Sequence, residues 1–82
     1  MKNNINEYKL KDFYTCAVLL ASGLHIKRLE KSEGNFFTFV FNDSDLLAEK
    51  IIKAHWDRMH LLPTRTLIEA INELKTRIYS GI

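Results

Sequence analysis

The sequence predicts an α+β domain: a small antiparallel sheet, built from a hairpin and a short N-terminal strand, with three helices stacked on one of its faces. The expected order is strand, helix, strand, strand, helix, helix, in a single domain spanning 1–82 with residues 1–6 loose. Three observations predict it. Phe37, Phe39 and Phe41 alternate with Phe36, Thr38 and Val40, which is the period of a strand with one buried face. The stretch TRTLIEAINELKTRIYSG repeats its apolar residues every three or four positions, which is the period of an amphipathic helix. Gly23, Gly34 and Gly81 each fall where such an element ends or turns.

The N-terminal strand rests on Tyr8 and Leu10, which alternate with Glu7, Lys9 and Lys11. From Asp12, a residue suited to capping, FYTCAVLLAS forms the first helix, and Gly23 closes it in the left-handed position. At 100° per residue Phe13, Cys16, Ala17, Val18, Leu20 and Ala21 share a broad apolar arc. Leu19 falls opposite, beside Thr15 and Asp12, so this helix is expected to be covered on more than one face.

LHIKRLEK, the turn SEGN and FFTFVFN read as a hairpin whose core side carries the three phenylalanines Phe37, Phe39 and Phe41. Leu24 and Ile26 are in step with each other, but Leu29 is not. Either a bulge intervenes or pairing ends near Arg28.

Asn42, Asp43 and Ser44 are candidate caps for a second helix, whose arc gathers Leu47, Ala48, Ile51, Ile52, Ala54 and His55. Glu49 and Lys53 form an i,i+4 pair on its far face. MHLLP interrupts the pattern, and Pro63 or Thr64 starts the third helix. Its stripe is Leu67, Ile68, Ile71, Leu74 and Ile78, with Arg65, Glu69, Asn72, Glu73, Thr76 and Arg77 opposite. Lys75 falls inside the stripe, where two outcomes are physically acceptable: its stem lies along the core while the ammonium reaches solvent, which is the expected one, or the ammonium meets a carboxylate such as Asp12.

The chain has 82 residues, 46% apolar and 27% charged, with 12 Lys+Arg against 10 Asp+Glu. Disorder is excluded by that apolar content, and there is no run of the roughly 20 apolar residues that span a bilayer. MKNNINEYKLKD lacks the apolar segment of a signal peptide, so the expected compartment is the cytoplasm. A net charge of +2 is too small to argue for nucleic acid.

No set of residues for catalysis, a metal or a cofactor assembles from the sequence. One cysteine, Cys16, forbids an internal disulfide and a CxxC site, and its apolar setting raises its pKa. His55 and His60 are five apart, the wrong spacing for a helical zinc pair, and His55 reads as a neutral core residue. The glycines are too far apart to cradle a phosphate.

Binding is therefore the expected role. Trp56, with Lys53, Arg58, His60 and Arg65 near it, combines the residue types that dominate protein interfaces, against the plainer reading of a half-buried packing tryptophan. The nucleic-acid alternative has two forms. The second and third helices can mimic a helix-turn-helix presenting Arg65, Asn72 and Arg77, although Glu69 and Glu73 share that face. Lys27, Arg28 and Lys31 on the hairpin form a basic cluster that can face nucleic acid or guard a strand edge. An open sheet edge and Leu19 together suggest self-association.

The order of CAVLLASG, FFTFVFNDS, AHW, LLP and LIEAINELKTRIYSG, from Tyr8 onward, resembles a family of small prokaryotic, viral and mobile-element proteins described as a domain of unknown function. The resemblance implies a short accessory protein, often carried on phage or mobile DNA, with no catalytic residue to transfer. The expected function is thus a non-enzymatic protein that occupies a protein or nucleoprotein partner, of a defence or counter-defence type.

Overall fold

The computed structural model describes residues 6–31, 34 and 36–80. Its elements are β1 (Glu7–Leu10), α1 (Phe13–Ala21), β2 (His25–Lys31), β3 (Phe37–Asn42), α2 (Ala48–Trp56) and α3 (Thr64–Ser80). β3 lies at the centre of a three-stranded antiparallel sheet in the order β1-β3-β2, so β1 and β2 are its edges. Residues 1–5, Gly81 and most of the hairpin turn lie outside the described residues, and so do the readings that fell on them. Gly34 has the positive φ, 73°, that such a turn requires.

Phe39 pairs with Leu10 and Leu29, and Phe41 with Tyr8 and Ile26, so one face of the sheet is apolar across all three strands. Phe39 and Phe41 are buried and Phe37 is half-buried. A bulge between Ile26 and Arg28 explains Leu29. Lys27 is the extra residue, and after it Leu29 returns to the face of Phe39 while pairing continues to Lys31.

The opposite face holds a difference from expectation. Val40 is fully buried, though it belongs to neither the phenylalanine face nor the main apolar cluster. Its register neighbours are Lys9 and Arg28. Both are held by ion pairs to carboxylates, so that face is covered by a charge network and not by apolar side chains of the main cluster.

Five consecutive α1 residues, Thr15 to Leu19, are buried, with α2 and α3 both packed on the helix, while Tyr14 near its start stays exposed. Leu19 is therefore core, and the expectation that it offers apolar surface to a partner is corrected. Asp12 caps α1: its carboxylate accepts from the Thr15 N–H at 2.9 Å and from the Thr15 hydroxyl, which leaves buried Thr15 satisfied. At the other end Gly23, φ 105°, donates to the Leu20 carbonyl at 3.1 Å, and Leu24 donates to that of Leu19 at 3.2 Å. These two bonds make a Schellman motif, and Leu19 and Leu24 both lie in the core.

α2 begins later than the cap residues suggested. Asn42 still belongs to β3, and a turn closed by Leu46 N–H on the Asp43 carbonyl precedes the helix. Buried Asp43 nevertheless does the capping, accepting from the N–H groups of Leu47 at 2.8 Å and Ala48 at 3.1 Å. Lys53 pairs with Asp57 at 3.0 Å rather than with Glu49.

In α3 the buried residues are Ala70 and Leu74, with Leu67, Ile71 and Ile78 packed against the cluster. Burial is thus turned toward Ala70. That single rotation puts Ile68, 56% exposed, outside the core and leaves Lys75 exposed. α2 and α3 each pack chiefly on α1 rather than on one another, which is not the arrangement of a helix-turn-helix. The cluster draws on all six elements.

Candidate functional site

The turn joining α2 to α3 is an elbow built by local chemistry. α2 ends at Trp56, Asp57 follows as its C-cap, and Arg58 takes the left-handed conformation with φ 62°. Arg58 N–H donates to the His55 carbonyl at 3.1 Å and Met59 N–H to that of Ala54 at 2.8 Å. This is the Schellman motif of α1 again, with arginine where α1 has glycine. A side chain in that conformation costs about 1–2 kcal/mol. A cation beside the last carbonyls of a helix returns about 0.3–1 kcal/mol. Pro63 then disfavours helix at Leu62, and Leu67 N–H bonding to the Pro63 carbonyl opens α3.

The elbow projects apolar groups outward. Trp56 is 71% exposed, Met59 75% and Leu61 90%. Trp56 is not the half-buried packing residue that was the plainer expectation. Its ring lies 5.5 Å from that of His55, which is half-buried beside it instead of lying in the core.

His60 anchors the elbow to the end of α1, with Nε2 2.7 Å from Ser22 Oγ. Ser22 donates its one proton to the Val18 carbonyl at 2.7 Å, so His60 must be the donor to Ser22. A nucleophile and its base require the reverse order, serine donating to histidine. The bond is a tether.

Charge at the elbow is mostly cancelled. Lys53 meets Asp57 at 3.0 Å and Arg65 meets Glu69 at 3.2 Å. Arg58 is exposed and has no ion pair among the described residues. Of the five residues singled out from sequence, four thus surround the exposed apolar stretch or continue it into α3, and His60 holds it in place.

A family model described as a domain of unknown function, DUF5659, matches residues 5–80. The chain belongs to the DUF5659 family. No curated protein and no solved structure matches it. The family description carries no activity, so what a DUF5659 domain does has to be argued from side chains.

The basic cluster of this DUF5659 chain does not survive as a cluster. Glu7 reaches from β1 across β3 to take Lys27 at 2.9 Å and both terminal nitrogens of Arg28 at 2.9 and 3.2 Å. Arg28 also holds Glu30 at 2.8 Å, and Lys9 holds Glu30 at 3.4 Å. The Glu7 side chain is only 7% exposed, and its hydrogen bonds from Arg28 and then Lys27 bring its pKa down to about 2. Lys31 pairs with Phe37 on the other face and stands apart.

Cys16 is buried, with Sγ 3.6 Å from the Leu10 carbonyl, and desolvation pushes its thiol up to about 12. Among the described residues no group of three or more His, Cys, Asp or Glu is placed to hold a metal. No described helix is long and apolar enough to cross a membrane. An open groove of about 320 Å³ between β2 and α3 is floored by Leu24, Ile26 and Ala70 and rimmed by Glu69, Glu73 and Arg77. It lies apart from the elbow.

Met59 and Leu61 are the site residues that sequence reasoning missed. The available signal was three apolar residues in MHLLP, a segment already recognised as non-helical and thus unable to bury them periodically.

Proposed function

We propose that this domain is a non-enzymatic binding protein that works by occupying a macromolecular partner, with the elbow between α2 and α3 as its contact surface. The observation that carries this reading is the exposure of Trp56, Met59 and Leu61 within one short stretch that is held in place by the α2 C-cap bonds and by His60 on Ser22. Tryptophan, methionine and arginine are the types enriched at the centres of protein interfaces. A protein partner fits better than nucleic acid, because Lys27, Arg28, Lys53 and Arg65 are each spent on a carboxylate.

The finer reading comes from the resemblance: an accessory protein of a phage or mobile element, of defence or counter-defence type, working in the cytoplasm. Gene neighbourhood bears on it directly. Self-association rests on the two sheet edges alone, now that Leu19 is core.

The test is a pulldown from the native host with wild-type protein and with Trp56→Ala/Leu61→Ser, sequencing any bound nucleic acid. A protein kept by the wild type and lost by the variant is the expected result. Nucleic acid released by salt would replace this reading with the nucleic-acid one, and equal capture by both proteins would move the contact surface elsewhere.

A further inference from the structure

We infer that the surface this elbow fits is an apolar patch of a protein that presents a carboxylate, and that Arg58 is the residue that reads it; the inference rests on the binding role proposed above. The chain has four arginines, and among the described residues Arg28, Arg65 and Arg77 each hold a glutamate while Arg58 holds none. Arg58 is exposed and lies in the same short stretch of chain as Trp56, Met59 and Leu61, all largely exposed. A planar fork of donors set in apolar surface is matched by a carboxylate set in apolar surface, which it can take in two parallel bonds.

Backbone chemistry does not call for arginine here. The equivalent position of α1 is Gly23, which adopts positive φ without a side-chain penalty. What arginine adds over glycine is its side chain, either for the helix end or for a partner. The charge count also selects the partner. Lys53 and Arg65 are neutralised by Asp57 and Glu69, so among the described residues of the elbow Arg58 is the cation left without an ion pair, which suits a single carboxylate and not the track of phosphates on a nucleic acid.

A photo-crosslinking amino acid at position 61, introduced in the native host, identifies what lies on the elbow. The cross-linked protein, purified, is then titrated with wild type, Arg58→Gly, Arg58→Lys and Trp56→Ala, each with its melting temperature measured. The expected result is at least about tenfold weaker binding by Arg58→Gly with no loss of thermal stability, and partial retention by Arg58→Lys, which keeps the charge at the helix end but not the fork. Arg58→Glu should be rescued by an Asp or Glu→Lys change at the cross-linked site of the partner.

Undiminished binding by Arg58→Gly alongside loss in Trp56→Ala would overturn the carboxylate inference and leave the binding role standing. Cross-linking to nucleic acid, supported by salt-sensitive binding of oligothymidylate, or no cross-link at all, would overturn both.

Discussion

Gly23 and Arg58 are the same residue of the same motif: each is the left-handed position after a C-cap, with φ 105° and 62°, and each donates its N–H to a carbonyl of the last helical turn. The two positions make opposite predictions. Gly23→Ala should destabilise by about 1 kcal/mol, and as backbone strain alone, because a Cβ there meets nothing within 4 Å. Arg58→Gly should range from neutral to about 1 kcal/mol more stable, relief of strain being set against a lost helix-end charge and a freer unfolded chain. Thermal melts of both variants check this, and a large loss in Arg58→Gly would mean the arginine is structural.

Trp56 is the only tryptophan, so its emission reports on the elbow without interference. It should be that of a solvated indole, and Leu61→Ser should change stability by no more than about 0.5 kcal/mol, since little is buried at either residue. A blue-shifted emission from the dilute free protein would place the ring in an apolar contact the isolated chain does not make.

Phe39→Ala should cost about 3–5 kcal/mol and leave the domain mostly unfolded, because Phe39 is buried on the central strand between Leu10 and Leu29. Circular dichroism with temperature is the direct measurement.

Acid should weaken the fold through Glu7. The carboxyl, ordinarily near 4.5, is held at about 2 by Arg28 and Lys27, so the folded state favours its charged form. That stabilisation is present above pH 4.5 and is lost as pH falls from there toward 2. Glu30 and Asp12 are also lowered, by the hydrogen bonds of Arg28 and Thr15 respectively, and act with the same sign. Glu7→Gln should therefore flatten the acid limb of a melting-temperature profile without abolishing it.

The sheet and the helix order were legible because alternation and helical periodicity follow from backbone geometry, and Phe37, Phe39 and Phe41 had only one face to bury. Leu29 shows the limit: periodicity flagged the irregularity, but only pairing with Phe39 could place the bulge at Lys27. Ile68 and Lys75 were misplaced together, because small Ala70 carries little weight in an apolar arc yet is one of the two buried residues of α3. The charge network could not be read, since Glu7 and Arg28 are distant in sequence and meet only across a strand that neither belongs to. At the elbow Trp56 and Arg58 were visible as residue types. Their exposure was not, and neither was the left-handed conformation of Arg58, which arginine seldom adopts and no pattern announces.

The strand order also sets a timetable. β2 and β3 are consecutive and can zip as soon as their turn closes, but Tyr8 and Leu10 must wait for Phe41 and Phe39, which are synthesised roughly thirty residues later. β1 precedes both of its sheet partners in the chain, so its ion pairs from Glu7 to Lys27 and Arg28 are expected to form only when it is added to the hairpin. Glu7→Gln should thus accelerate unfolding and leave the refolding rate nearly unchanged in stopped-flow measurements, whereas slowed refolding would put β1 in the nucleus. A nascent chain halted before β3 emerges would hold an unpaired EYKL segment, and it is during that interval that the protein is most open to association with other chains.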